Sequence, residues 1–181
     1  MDRAANTVSG TELNTRIVDL ARYAERLKPA GILYTCSAFG EGIEEAARTS
    51  SLPVLKPNEA MFDAAFGYGT NIAMIYTFPP SVDGMEKEFA AAAEKKNSAA
   101  TLRSYFAEHA MDALKEGDAK NHNDIITDVA ASIEADAILL AQFSMAIAAP
   151  SVRATTKIPL LTSPESAIEK MRNSVQAKQP V

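Results

Sequence analysis

The sequence predicts an α/β fold built from two pseudo-symmetric halves, each with a parallel sheet. Three observations support this fold class. Short apolar runs alternate with segments of helical periodicity, which is typical of parallel βαβ units. Several of the apolar runs show no polar alternation, as expected of strands buried on both faces. The two halves also match one another at a constant spacing along the chain.

Each element follows from a local pattern. Apolar residues at helical spacing, such as Leu13, Ile17 and Leu20, predict helices. Continuous apolar runs, of which 71–76 is the best, predict strands. The predicted helices are 11–27, 41–49, 58–66, 81–95, 105–115, 120–134, 146–153 and 163–175, and the predicted strands are 32–34, 52–55, 71–76, 99–103, 137–140 and 158–161.

Composition and charge exclude several classes of protein. The 181 residues include 47% hydrophobic residues, which excludes a disordered chain. The formal net charge of -5 argues against a nucleic-acid partner. No apolar run reaches the roughly 18–20 residues that span a bilayer, and the first residues carry no apolar signal segment, so we expect no membrane partner and a cytoplasmic location. The single cysteine, Cys36, excludes an intramolecular disulfide, and with only two histidines we expect no metal site.

An internal repeat relates the two halves. Ile32-Leu33 matches Ile138-Leu139, and Pro53 matches Pro159, with the same offset in both cases (138 − 32 = 106 and 159 − 53 = 106). The offset pairs Cys36 with Gln142, and each follows a strand, where open α/β sheets bind ligands.

The repeat also predicts the domain organisation. We expect a first half over 1–68, with the 163–181 helix packing back on it, and a second half over 69–162. The strand–helix–strand at 71–103 has no counterpart in the first half. We therefore expect the first half to lack its initial βαβ unit, because the sequence is truncated or because another chain supplies it.

Polar residues at the ends of predicted strands have two interpretations. Thr77, Ser81 and Thr162 are placed to bind a carboxylate, although Ser81 is equally suited to cap the next helix. For Asn58, capping is the favoured interpretation. Gln142 and Ser144 either contact a substrate or cap the helix at 146–153. The two histidines, His109 and His122, are expected on the solvated surface.

Three segments resemble the aspartate/glutamate/hydantoin racemase superfamily: YTCSAFG at 34–40, KPNEAMF at 56–62 and LAQFSMA at 140–146. The resemblance implies two similar α/β domains and, in the racemases, two cysteines that act on opposite faces of the substrate. Cys36 matches the first cysteine. In an alignment without a gap, Gln142 matches the second cysteine. A gap of one or two residues would match Phe143 or Ser144 to it instead. The residues it implies for catalysis are Cys36, Gln142 and Ser144, and those for substrate binding are Thr35, Ser37, Ala38, Asn58, Thr77, Ser81, Phe143 and Thr162.

The resemblance implies an isomerase without a cofactor that uses cysteine to move a proton beside a carboxylate. Its substrate would be a small amino-acid-like compound or dicarboxylate, and its expected oligomeric state is a homodimer. Because inversion needs an acid and a base on opposite faces, a single thiol leaves alternatives open. These are a one-cysteine decarboxylase or other lyase, an enzyme like the maleate isomerases, and a weakly catalytic or non-catalytic protein that binds a small carboxylate or another chain.

Overall fold

The computed structural model describes residues 10–36 and 39–177. These residues form eight α-helices and six strands: α1 (Gly10–Glu25), β1 (Ile32–Leu33), α2 (Gly40–Thr49), β2 (Val54–Leu55), α3 (Glu59–Ala65), β3 (Asn71–Tyr76), α4 (Val82–Lys95), β4 (Thr101–Phe106), α5 (Ala110–Lys115), α6 (Ala119–Ala131), β5 (Ala137–Leu140), α7 (Ala149–Thr155), β6 (Leu160–Thr162) and α8 (Ser163–Gln176). Two compact units result. One contains the described residues up to Pro57 and those from Ala167 onward, and the other runs from Asn58 to Ser166.

The first unit is built on a two-stranded parallel sheet. Strand β1 pairs with β2, and its small core joins α1, α2 and β2 through Val18, Ile43 and Val54. The Tyr34 hydroxyl donates a hydrogen bond of 2.7 Å to the carbonyl of Ile17, and burial raises the pKa of this phenol. The side chain that follows β1 thus fastens the strand to α1.

The second unit contains a four-stranded parallel sheet in the order β4-β3-β5-β6. Its central strands β3 and β5 are almost fully buried, because helices cover both faces. On one face Met74 and Leu139 pack with Phe62 of α3 and Phe89 of α4, whose rings meet edge to face at 5.4 Å. The opposite face packs against α5, α6 and α7. The predicted class of two parallel-sheet α/β halves is confirmed.

The internal repeat is visible in strand register. In the first unit Ile32 pairs with Val54, and in the second Ile138 pairs with Leu160, so both partners shift by the same offset (138 − 32 = 106 and 160 − 54 = 106). The hydrogen bond that precedes each pair is repeated too: Ile32 N–H to Pro53 O and Ile138 N–H to Pro159 O are both 2.8 Å. Cys36 and Gln142 therefore occupy equivalent positions within their own units.

The turn before β3 depends on a glycine. A Cβ at Gly69 would lie 2.1 Å from an Asp136 carboxylate oxygen, so only glycine fits there. The same oxygen accepts hydrogen bonds from the backbone N–H groups of Thr70 and Asn71 at 2.8 and 2.9 Å. This contact fixes the entry to the central strand.

Several elements differ in their bounds from the sequence prediction, among them β4 and α5. Strand β4, predicted at 99–103, runs from Thr101 to Phe106, and α5, predicted from 105, begins at Ala110. Because β4 is an edge strand with alternating exposure, it has no continuous apolar run to mark its ends. In α1 the buried residues are Val18 and Ala21, whereas Leu20 is 54% exposed, because a two-stranded sheet and one helix cover only a narrow stripe.

Candidate active site

Polar side chains of the second unit gather beyond the carboxyl ends of β3, β5 and β6. Thr77 follows β3, Gln142 follows β5 by two residues, and Thr162 ends β6. In a parallel sheet these ends lie at one edge, where ligands bind in open α/β folds. The structure thus places three of the residues that the sequence singled out at the same edge of the sheet.

Gln142 is the centre of this arrangement. Its Oε1 accepts a hydrogen bond of 3.0 Å from the backbone N–H of Thr77, and the Thr77 hydroxyl lies 3.4 Å from the same oxygen. Its Nε2 donates to the Ser81 hydroxyl at 3.2 Å. Gln142 is half-buried, whereas Thr77 and Ser81 are buried behind it. We call these three residues the Gln142 network.

The capping interpretations of Ser81 and Gln142 are wrong. Ser81 precedes α4, but its hydroxyl makes no capping bond and donates instead to the Phe78 carbonyl at 2.8 Å. Gln142 precedes the 3₁₀ turn Phe143–Ala148, and its side chain makes no capping bond either. Both side chains are therefore committed to the Gln142 network.

Asn58 was expected to cap α3, and this too is wrong. It precedes the helix without a side-chain cap bond and is fully buried. Its Oδ1 accepts a short hydrogen bond from the Ser163 hydroxyl, which also lies 3.3 Å from the Ala141 carbonyl. The Nδ2 of Asn58 has no hydrogen-bond partner among the described residues. Asn58 thus ties the start of α3 to the ends of β5 and β6.

Thr162 contacts the ion pair of Arg153 and Glu165, which the sequence prediction missed. Its hydroxyl donates to Glu165 Oε2 at 2.9 Å, and that oxygen also accepts from Arg153 Nη2 at 2.7 Å. The hydrogen bond from Arg153 holds the pKa of Glu165 below its usual range, and the guanidinium pKa is correspondingly raised by this bond. The Thr-x-x-Glu spacing at the start of α8, a capping-box pattern, is the signal that could have revealed it.

Phe143 and Ser144 lie in the 3₁₀ turn after Gln142, and both are half-buried. No side-chain hydrogen bond joins Ser144 to another described residue. Ser144 therefore lies close to Gln142 in sequence. A serine nucleophile requires an activating partner, and no described side chain bonds to Ser144 in that role.

Cys36 lies in the first unit, between the end of β1 and the start of α2 at Gly40, as the sequence predicts. Its thiol is exposed and free, and the neighbouring Thr35 is exposed too. The predicted substrate contacts Ser37 and Ala38 lie outside the described residues. The thiol is accessible to a solute, unlike the buried cysteine of a packed core.

The two histidines differ. His109 is exposed, with 77% of its side chain accessible, as expected. His122 was expected at the surface, but it is fully buried, because it faces inward from α6. Its Nδ1 lies 2.9 Å from Asn123 Oδ1. Within residues 10–36 and 39–177, no cluster of three or more His, Cys, Asp or Glu side chains could hold a metal ion.

Fold and site together define the class: a parallel α/β protein with polar loops at the carboxyl ends of its strands and a free thiol at a post-strand turn. A family model described as Asp/Glu/Hydantoin racemase matches residues 2–171. The chain belongs to this family, which confirms the resemblance seen in the sequence. No curated protein matches the sequence significantly. No helix in the described part of the chain is long and apolar enough to cross a membrane.

Solved structures agree on the fold. A glutamate racemase isoform from Bacillus anthracis superimposes with a TM-score of 0.73 at 10% identity, over 94% of this chain and 66% of that one. Allantoin racemase from Klebsiella pneumoniae gives 0.68 at 14% identity, over 89% and 65%. A liganded variant of arylmalonate decarboxylase gives 0.64 at 15% identity, over 94% and 77%. The chain therefore spans about two thirds of the length of the two racemases.

Proposed function

We propose that this protein is an enzyme that moves a proton at a carbon next to a carboxylate in a small substrate, with Cys36 as the proton carrier. The observation that carries the proposal is the repeated register, which gives Cys36 and Gln142 equivalent positions. Family membership supports proton transfer at such a carbon, and the exposed thiol supports access by a small molecule.

The proposed step is a single proton exchange. As thiolate, Cys36 takes the proton from the carbon, giving a thiol and an enediolate. For exchange, the thiol swaps its proton with solvent and returns one to the same carbon, which regenerates the thiolate. After loss of carbon dioxide, the thiol protonates the carbanion and solvent then reprotonates the thiolate. Backbone or side-chain N–H and O–H donors stabilise the charge that develops on the carboxylate oxygens. A thiol and such donors suffice for this step, so the proposal includes no metal or organic cofactor.

In this proposal Gln142 is a carboxylate-binding residue at the strand ends of the second unit. A carboxamide has two N–H donors, and one of them already points to Ser81. The other is available to a carboxylate oxygen, since Gln142 is only half-buried. Thr77 and Ser81 are buried against the amide, so we assign them positioning roles rather than direct contacts.

Gln142, at the position equivalent to Cys36, favours a reaction on one face of the substrate. Inversion requires a second group that exchanges protons, and a carboxamide does not titrate near neutral pH. We therefore propose proton exchange with retention, or protonation after loss of carbon dioxide, ahead of racemisation. The named substrates of the similar structures, glutamate and arylmalonate, fit a small carboxylate substrate. We place the enzyme in the cytoplasm.

The test is deuterium incorporation in D2O, followed by proton NMR over amino acids, hydantoins, maleate and malonates. We expect the wild type to exchange or convert at least one class, and Cys36→Ala to lose that activity. Ser132→Ala is the matched control, because Ser132 is exposed and follows α6, outside the Gln142 network.

Two results would count against the proposal. If Cys36→Ala exchanges as fast as the wild type, the thiol is not the proton carrier. If the wild type converts nothing while a member of the panel binds by calorimetry, the protein is a carboxylate-binding relative without catalysis.

A further inference from the structure

Large apolar side chains are exposed at the edge of the four-stranded sheet that carries the Gln142 network. Phe78 follows β3 and is 42% exposed, Phe106 ends β4 and is 41% exposed, and Ile147 lies in the turn after β5 and is 48% exposed. Exposed apolar groups at one edge are typical of a surface that binds another molecule. This edge therefore offers apolar contacts beside the polar network.

The backbone of Phe78 is tied to the Gln142 amide. The N–H of Thr77, one residue earlier, donates to Gln142 Oε1 at 3.0 Å. The Phe78 carbonyl accepts from the Ser81 hydroxyl at 2.8 Å, and that hydroxyl accepts from Gln142 Nε2 at 3.2 Å. Because consecutive Cα atoms are about 3.8 Å apart, the Phe78 Cα lies within roughly 8 Å of the amide oxygen. A ligand the size of an amino acid can therefore contact both the amide and the Phe78 ring.

Two more aromatic rings lie at the same edge. Phe143 directly follows Gln142, begins the 3₁₀ turn and is half-buried. Phe106 stacks on Tyr76 with 5.3 Å between ring centroids. Strands β4, β3 and β5 are neighbours in the sheet, so Phe106, Phe78 and Phe143 follow or end three adjacent strands. A ring that is already held in place loses little conformational freedom when a ligand packs on it.

The loops around the amide carry no charged residue. The sequence is TFPPS at 77–81 and AQFSMAIA at 141–148, without Asp, Glu, Lys, Arg or His. The guanidinium of Arg153, in α7, already donates to Glu165 Oε2 at 2.7 Å. An acidic side chain on the substrate would thus lose water at these loops without gaining a cationic partner, which is unfavourable. An aromatic or branched aliphatic side chain would instead bury apolar surface, which is favourable.

We propose that the substrate has an aromatic or branched aliphatic side chain rather than an acidic one, and that Phe78 and Phe143 determine this preference. The inference rests on the proposed function, because it takes Gln142 as the carboxylate-binding residue. It adds to that function a class of substrate and two specificity-determining residues.

Two small carboxylates that differ at one end test the preference. 3-Phenylpropanoate and succinate share a –CH2CH2COO⁻ part, and the other end is a phenyl ring in the first and a second carboxylate in the other. Proton NMR titration of the full chain at about 0.15 M salt measures both dissociation constants. We expect 3-phenylpropanoate to bind at least about tenfold more tightly than succinate, because only its ring gains from apolar contact.

Phe78→Lys should reverse the discrimination. It removes the ring and adds a cation near the amide, so the ratio of the two dissociation constants should change by at least about fivefold in favour of succinate. Phe78→Leu keeps an apolar side chain and should retain the preference of the wild type. Unchanged circular dichroism would show that both variants fold.

Tyr68→Lys is the matched control. Tyr68 is also exposed, by 48%, but it precedes β3 and so lies toward the opposite edge of the sheet. A strand of six residues is about 20 Å long, which exceeds the screening length of about 8 Å at this salt concentration. The same substitution there should leave the ratio of dissociation constants unchanged.

The inference is overturned if succinate binds as tightly as 3-phenylpropanoate, if neither compound binds, or if Phe78→Lys leaves the ratio unchanged. A change in sedimentation without a change in the ratio would show that the exposed ring contacts another copy of the chain, and it would overturn the inference too.

The deuterium exchange assay separates this inference from the proposed function. Exchange with aspartate or glutamate but not with phenylalanine or leucine would keep the proposed function and overturn the inference. Selective binding of 3-phenylpropanoate that Gln142→Leu weakens, without exchange of any substrate, would support the ligand preference and overturn the proposed function.

Discussion

Replacing Gln142 by leucine tests whether the Gln142 network holds the end of β5 in place. Leucine has a similar size but accepts no hydrogen bond, so the Thr77 N–H loses its partner at 3.0 Å. Thr77 is 3% exposed, so water does not replace that bond freely. An unsatisfied buried donor costs about 1–3 kcal/mol. Ser81 loses less, because its hydroxyl still donates to the Phe78 carbonyl.

We therefore expect Gln142→Leu to lower the free energy of unfolding by about 1–3 kcal/mol. At roughly 2–4 °C per kcal/mol for a chain of this size, the melting temperature should fall by about 2–12 °C. Urea unfolding followed by circular dichroism measures the first quantity, and calorimetry measures the second.

Gln142→Glu is the matched control, since a carboxylate still accepts from the Thr77 N–H. It should retain most of the stability, yet bind a carboxylate substrate poorly because like charges repel. The reasoning is refuted if Gln142→Leu unfolds at the same urea concentration as the wild type. It is refuted equally if Gln142→Glu loses as much stability as Gln142→Leu.

Three further predictions concern single residues. Cys36→Ala should reduce the exchange rate by roughly 10²–10⁴-fold, the usual contribution of a positioned acid or base, with unfolding by urea unchanged because the thiol is exposed. Asn58→Asp would bury a carboxylate, so it should destabilise the fold by on the order of 3 kcal/mol at neutral pH. The loss of stability should be smaller in acid, and urea titration at several pH values measures both. Because the bond from Arg153 lowers the pKa of Glu165, the carboxylate stabilises the fold fully above the unfolded value of about 4.3, and this stabilisation is lost as the pH falls through the lower folded value. Glu165→Gln should remove that pH-dependent part of the stability, which is below about 1 kcal/mol because the pair is so exposed. Equal profiles of unfolding free energy against pH for the two proteins would contradict this.

The central strands show what local sequence can predict. Strands 71–76 and 137–140 were predicted with the bounds that β3 and β5 have, because helices cover both faces and every position is apolar or nearly so. The edge strand β4 was misplaced, because burial on an edge alternates and leaves a weak signal. His122 was misassigned for a related reason: a polar residue on a helix reveals its burial only when the packing is known.

For the site, spacing identified positions but not partners. The offset of 106 (138 − 32) in the sequence paired Cys36 with Gln142, and the strand registers repeat with that offset. Capping was the favoured interpretation for Asn58 and an equal one for Ser81, since serine and asparagine before a helix usually have that role. The structure instead bonds Ser81 to Gln142, 61 positions away, and Asn58 to Ser163, 105 positions away.

The sequence by itself determined the family, the parallel α/β class, the repeat and the single thiol, because these follow from residue order and short-range periodicity. Tertiary structure alone decided which polar groups bond to one another, which face of α1 is buried and which strands lie at the edges of the four-stranded sheet. Those features depend on contacts between residues far apart in the chain, where hydrogen bonding and burial are set by the completed sheet rather than by neighbours in sequence.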